Sequence, residues 1–236
     1  MTDYRQLEEL FSRNLGLERR PVAITSMSAV PEKVSRFTGT VPSGCSFWRL
    51  ASEGRTFYTE PADHYNCAIG AYTHNISLPP DREQELPATL SFMTDAGYIR
   101  MEEVPGLPRL VMTPVAVVYA PLAETPVDPD VVIFSGRPSV IMLLQEAAVR
   151  AGTAAQVNML GRPTCMSVPA AMALGMVTSI GCVGNRVYTD IDAGDLYAAI
   201  PARDLQRIAE ETGTIKDANL KLMEYHTQRR QLLSSP

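Results

Sequence analysis

Two pairs of cysteines, Cys45 with Cys67 and Cys165 with Cys182, bracket the same short succession of helix, glycine and strand, once in each half of the chain. The first member of each pair opens a helical run that ends on glycine, Ser46 to Gly54 and Met166 to Gly175, and a strand-like stretch follows before the second member. Other short matches run in the same order: Pro21 to Ile24 answers Val131 to Phe134, and Val117 to Pro121 answers Tyr197 to Pro201. The pattern predicts two similar lobes, built by internal duplication and related by an approximate twofold axis, that share one thiolate-rich site. The organisation that follows is a single domain over 1–236, with pseudo-repeat halves over about 17–125 and 126–213 and a C-terminal helix over 214–236.

The elements read as α/β. Leu7, Leu10, Phe11 and Leu15 recur at helical spacing behind Asp3 as a cap, with Gly16 as the stop. Val115 to Tyr119 and Val131 to Phe134 are continuous apolar runs that fit strands covered on both faces. Gly136-Arg137-Pro138 then introduces a helix over Ser139 to Ala151, closed by Gly152. Pro201 opens a helix that ends at Gly213, and a last amphipathic helix follows, which is expected to pack on a neighbour or on a second subunit of a homo-oligomer. Strands interleaved with helices and long crossovers predict a mixed, largely parallel sheet with flanking helices. The proline-rich segment from Asn75 to Arg109 reads as an insertion with one helix near Ala88 to Ala96.

With 45% hydrophobic residues the chain can bury a core, and its net charge of -5 argues against a nucleic-acid partner, which is recognised by a basic patch. No apolar run reaches the roughly 20 residues that cross a bilayer, and the amino terminus is acidic and amphipathic rather than signal-like. A cytoplasmic protein with no membrane partner is therefore expected. In that compartment thiols stay reduced, so the four cysteines are read as free or metal-bound.

Soft thiolates suit iron, and four of them are the usual complement of a two-iron or four-iron core. None of the four lies in a C-x-x-C pair, so only the tertiary fold can bring them together. Gly44 and Gly181 precede Cys45 and Cys182 and let the backbone bend close to sulfur. The competing reading is that free cysteine behaves as a small buried hydrophobe, as Ile180-Gly181-Cys182-Val183 would allow.

Arg20-Pro21-Val22-Ala23, Cys45 before a helix, Cys67, Ala120-Pro121-Leu122, Asp128-Pro129-Asp130-Val131-Val132, Cys165 and Gly181-Cys182-Val183-Gly184-Asn185-Arg186 together resemble the uncharacterised prokaryotic family known as domain of unknown function 169, or ArCR. The resemblance covers about residues 5 to 210 and departs from the usual pattern around Asn75 to Arg109. It implies cysteine at all four of these positions, hence a shared metal site, and carries no activity with it.

Gly184, Asn185 and Arg186, with Arg137 before its helix, offer glycine backbone and fixed positive charge for a small anion; the alternative is a tight turn into a strand over Val187 to Ile191. His64 and His74 bracket Cys67 and could replace a thiolate or act as acid or base. No nucleophile elbow, phosphate loop or dinucleotide fingerprint is present, so the sequence assigns no reaction and leaves open whether the protein is an enzyme. The first expectation is an iron-sulfur protein, four-iron favoured, acting in electron transfer or in Lewis-acid chemistry on a small molecule. A metal-free small-molecule module with structural cysteines, and structural zinc at the same four thiolates, remain alternatives.

Overall fold

The computed structural model describes residues 2–154 and 158–234. In chain order the elements are α1 (Tyr4–Leu15), β1 (Val22–Met27), α2 (Cys45–Ser52), β2 (Phe57–Thr59), α3 (Ala68–Thr73), α4 (Glu85–Asp95), β3 (Ala116–Pro121), β4 (Val131–Gly136), α5 (Pro138–Arg150), β5 (Asn158–Leu160), α6 (Ser167–Leu174), β6 (Val177–Ser179), α7 (Val183–Thr189), β7 (Leu196–Pro201) and α8 (Leu205–Ser234), with short 3-10 turns between several of them. Local chemistry sets the first helix as expected. Asp3 accepts a hydrogen bond from the Gln6 amide, and Gly16, in the left-handed region at φ 67, returns its N–H to the Ser12 carbonyl.

Seven strands form one mixed sheet in the order β2-β3-β1-β4-β7-β6-β5. The α/β class holds, but the sheet is mostly antiparallel rather than largely parallel: β5 with β6 is the one parallel pair among the described strands. The cause is visible in the burial. Val22, Ile24, Val131, Ile133 and Ala199 face a core beneath α2 and α6, while Ala23, Val132, Phe134, Ala198 and Ile200 face a second core beneath α1, α5 and α8. The central strands β3, β4 and β7 are therefore apolar over most of their length because both faces are covered, and such a run looks the same whichever way its neighbour points.

The pairings on the two sides of the β1–β4 seam match position for position. Ala23 opposes Val132 at the centre; Val22 opposes Pro121 on one flank as Val131 opposes Pro201 on the other; Thr59 then opposes Val117 as Ser179 opposes Tyr197. This arrangement puts α2 and α6 on the same face, and with them the segments that begin at Cys45 and Cys165.

Two helical boundaries differ from expectation. The carboxy-terminal helix does not start at 214; it runs unbroken from Leu205 through Gly213. Leu205, Ile208, Ala209 and Thr212 hold one face against the body, and Asn14 of α1 packs on Gly213 while donating to the Thr212 hydroxyl at 2.8 Å, so the glycine serves close helix packing instead of termination. Beyond Asn219, the same helix leaves Leu220, Leu222, Met223, Leu232 and Leu233 exposed. The strand expected over Val187 to Ile191 is replaced by α7, whose last hydroxyl, on Thr189, donates back to the Asn185 carbonyl at 2.8 Å. The insertion helix, α4, begins slightly earlier than expected and packs on α3. Among the described residues no helix is long and apolar enough to cross a membrane.

Candidate metal centre

Each cysteine stands at the amino end of a helical segment. Cys45 is the first residue of α2, Cys67 caps α3, Cys165 lies in the 3-10 turn Thr164–Met166 that runs into α6, and Cys182 caps α7. A helix start leaves amide hydrogens without carbonyl partners, and sulfur is an acceptor for them. At Cys67 this is explicit: its Sγ accepts the Gly70 N–H at 3.3 Å and lies near the amides of Gly44 and Ile69.

The fold brings the four together. Cys165 Sγ lies 4.0 Å from the Ile69 carbonyl, two residues past Cys67, and the Cys182 amide donates to the Thr164 hydroxyl at 2.5 Å, next to Cys165. Ser46, beside Cys45, donates to the Tyr188 carbonyl of α7 at 3.5 Å. Every pair among the four sulfurs is within electrostatic reach, so a charge on one opposes a charge on the others. Cys45 and Cys165 are buried, Cys67 and Cys182 half-buried, and none is in a disulfide. Among the described residues no three His, Cys, Asp or Glu side chains stand in an arrangement that closes on one metal ion.

Burial governs the protonation of these thiols. Desolvation, followed by repulsion from Cys67, pushes Cys45 up to about 12, although the Asn185 and Ser43 side chains pull the other way. Burial also raises Cys67, against the amides that favour its thiolate, and puts Cys165 well above the usual range. These three thiols are protonated in neutral solution.

His64 and His74 are buried on the Cys67 side with ring centroids 5.7 Å apart. Loss of solvent lowers both, His64 to about 3, so each is a neutral imidazole. His64 Nε2 is 2.8 Å from the Thr59 hydroxyl. His74 donates through Nδ1 to the Gly70 carbonyl at 3.0 Å, which leaves Nε2 as the unprotonated nitrogen, without a hydrogen-bond partner.

The residues expected to form an anion pocket are not gathered into one. Arg186 donates to the backbone carbonyls of Ile180, Asp192, Ala193 and Asp195, so its guanidinium ties α7 to the loop that follows. Arg137 is exposed and pairs with Glu18 at 2.9 Å. Gly184 faces the Tyr188 ring. Only Asn185 turns inward, where its amide lies against the Cys45 thiol and the Tyr197 hydroxyl. Sequence reasoning passed over Tyr119, fully buried with its hydroxyl within electrostatic reach of Cys45 and Cys165. The signal available was a single hydroxyl at the end of the apolar run Val115 to Tyr119, a place where valine or isoleucine would pack as well.

Comparison with known proteins gives the chain a family and adds no activity. No solved structure matches the chain. An uncharacterized protein of Methanocaldococcus jannaschii, MJ0308, is 28% identical over 175 residues, which cover 70% of this chain and 74% of that protein. The family model described as uncharacterised ArCR, DUF169, matches residues 11–211, a span that includes all four cysteines and every strand of the sheet. The chain belongs to the DUF169 family.

Proposed function

We propose that the four cysteines hold an iron-sulfur cluster, most simply a four-iron one, and that the protein works in electron transfer in the cytoplasm. The observation that carries this reading is the convergence of four helix-starting thiols, two from each side of the β1–β4 seam, into one electrostatically coupled group. Core filler has no reason to sit at the openings of four helical segments, one of them, Cys67, with amides turned toward its sulfur. The residues fit the group chemically: the donors are soft, the surroundings are largely dry, and the amides at Gly44, Ile69 and Gly70 favour a thiolate at Cys67.

A structural zinc would draw four sulfurs to about 2.3 Å from a single point, whereas a cluster is a larger body that each cysteine would grip at a corner. With one cysteine per iron, no iron is left open for a substrate, which favours electron transfer over Lewis-acid chemistry. Bound there, the cluster supplies a one-electron couple. The chain's part is to exclude water through Phe47, Trp48 and Tyr119 and to leave Cys67 and Cys182, the less buried ligands, toward the surface.

Anaerobic purification with iron and sulfide analysis tests this reading. The expected protein is brown, with a broad visible absorption that Cys45→Ser or Cys182→Ser bleaches. Colourless anaerobic protein with four titratable thiols overturns it, and one zinc per chain would replace it with a structural metal.

A further inference from the structure

Buried polar atoms without a partner gather around the thiols. Among the described residues, seven carry such atoms: Thr56 and Arg162, and five others, namely Trp48, on the helix that Cys45 opens; His74, at the end of the helix that Cys67 caps; Tyr119; Ser167, two residues past Cys165; and Asn185, three past Cys182. Leaving a buried donor unmet costs about 1 to 3 kcal/mol each, so the donors on Trp48, Tyr119, Ser167 and Asn185 point to an acceptor in their midst, whereas His74 Nε2 is itself an acceptor.

Tyr119 and Asn185 are the clearest of the five. The Tyr119 hydroxyl is completely buried and has no partner, and its ring is fixed against Phe47 at 5.3 Å and Phe57 at 5.6 Å, so it has little freedom to seek one elsewhere. Asn185 is 1% exposed, and its amide, which lies against the Cys45 thiol and the Tyr197 hydroxyl, completes no well-formed hydrogen bond with either. Its Oδ1 occupies the space a side chain on Gly181 would need, which sends the two N–H bonds of Nδ2 to the other side. Cys45 lies within reach of both residues, and Cys45 and Tyr119 share one core.

Resting on the reading that the thiols hold a cluster, we propose that Tyr119 and Asn185 donate hydrogen bonds to its sulfur atoms and thereby set its reduction potential. A reduced cluster carries one more negative charge, so a donor aimed at sulfur stabilises the reduced form more than the oxidised form and raises the potential. The two donors come from opposite sides of the seam, Tyr119 from β3 and Asn185 from α7, and act on a common ligand, Cys45. They are positioning residues for the couple; neither is a ligand.

The test uses anaerobic holoprotein carrying Tyr119→Phe or Asn185→Leu, each of which removes the donor while keeping the bulk. Redox titration followed by electron paramagnetic resonance should show a lower midpoint in each, by about tenfold in the reduction equilibrium, or about 59 mV for one electron, and a larger drop in the double variant. In wild-type protein the iron-sulfur stretching bands should shift on transfer to deuterated water, and Tyr119→Phe should diminish that shift. Unchanged midpoints in fully loaded variants overturn the proposal. If a variant fails to load, the wild-type isotope comparison decides, and bands that do not move overturn it. A colourless wild-type protein is a different result, because it removes the cluster itself.

Discussion

The Oδ1 atom of Asn185 lies 2.8 Å from the point where a side chain on Gly181 would begin, and Gly181 sits in the left-handed region at φ 78. No other residue type satisfies both conditions, because a Cβ there meets an oxygen at less than contact distance and strains the backbone as well. Gly181→Ala is expected to cost about 2 to 3 kcal/mol, measured by urea unfolding. Gly184→Ala, in helical backbone with only ordinary contact to Tyr188, should cost far less.

Loading of the centre should depend steeply on pH. Cys45, Cys67 and Cys165 are held protonated by burial and must each release a proton to bind metal. Iron incorporated during anaerobic reconstitution should therefore rise between about pH 6.5 and 8.5, with apparent affinity climbing about tenfold per unit for each proton released.

Acid should unfold the protein partly through His64. Its folded value, about 3, lies below its ordinary 6.5, so between those limits the unfolded chain binds more protons than the native one. The stability this confers is complete above pH 6.5 and is lost as pH falls toward 3. Denaturant midpoints across that window should drop with a slope of up to about 1.4 kcal/mol per pH unit from this residue. His64→Gln, which can still meet the Thr59 hydroxyl, should flatten the profile.

Arg186 is a structural clamp, and its substitution should show up in stability. Its guanidinium reaches four backbone carbonyls, a fan that an ammonium cannot reproduce. Arg186→Lys is expected to lose about 2 kcal/mol in thermal or urea unfolding. Arg137→Lys, exposed and in a single pair with Glu18, should leave the same measurement within about 0.5 kcal/mol of wild type.

Much of this architecture was legible in the residues. The cap at Asp3, the stop at Gly16 and the proline-opened α5 follow from local chemistry, whereas β1 and β4 correspond one position away from the expected matching of Pro21 with Val131: Val22 is the counterpart of Val131 and Ala23 of Val132. Strand direction was not legible, since burial on both faces erases the alternation that marks an antiparallel sheet. Gly213 misled because its role is fixed by Asn14, a partner about 200 positions away in sequence. The stretch after Cys182 misled because Val187 has strand character alone, whereas Arg186 and Asn185 hold it as a helix through contacts that only the fold provides. At the centre the cysteines were readable by type and spacing. The inward turn of Asn185 and the outward use of Arg186, adjacent residues with opposite fates, depended on which face of α7 met the core.

The division of the thiols between the two sides of the seam bears on biosynthesis. Cys182 lies well over a hundred positions after Cys45 in the chain, so on a growing polypeptide the last sulfur emerges long after the first. A nascent amino-terminal half displays Cys45 and Cys67 with open valences and no mates, and a separately expressed half would do the same. Any ion or cluster bound by all four can therefore be completed only once Cys182 has been made, by which point both strands of the central pair, β1 and β4, are already in the chain.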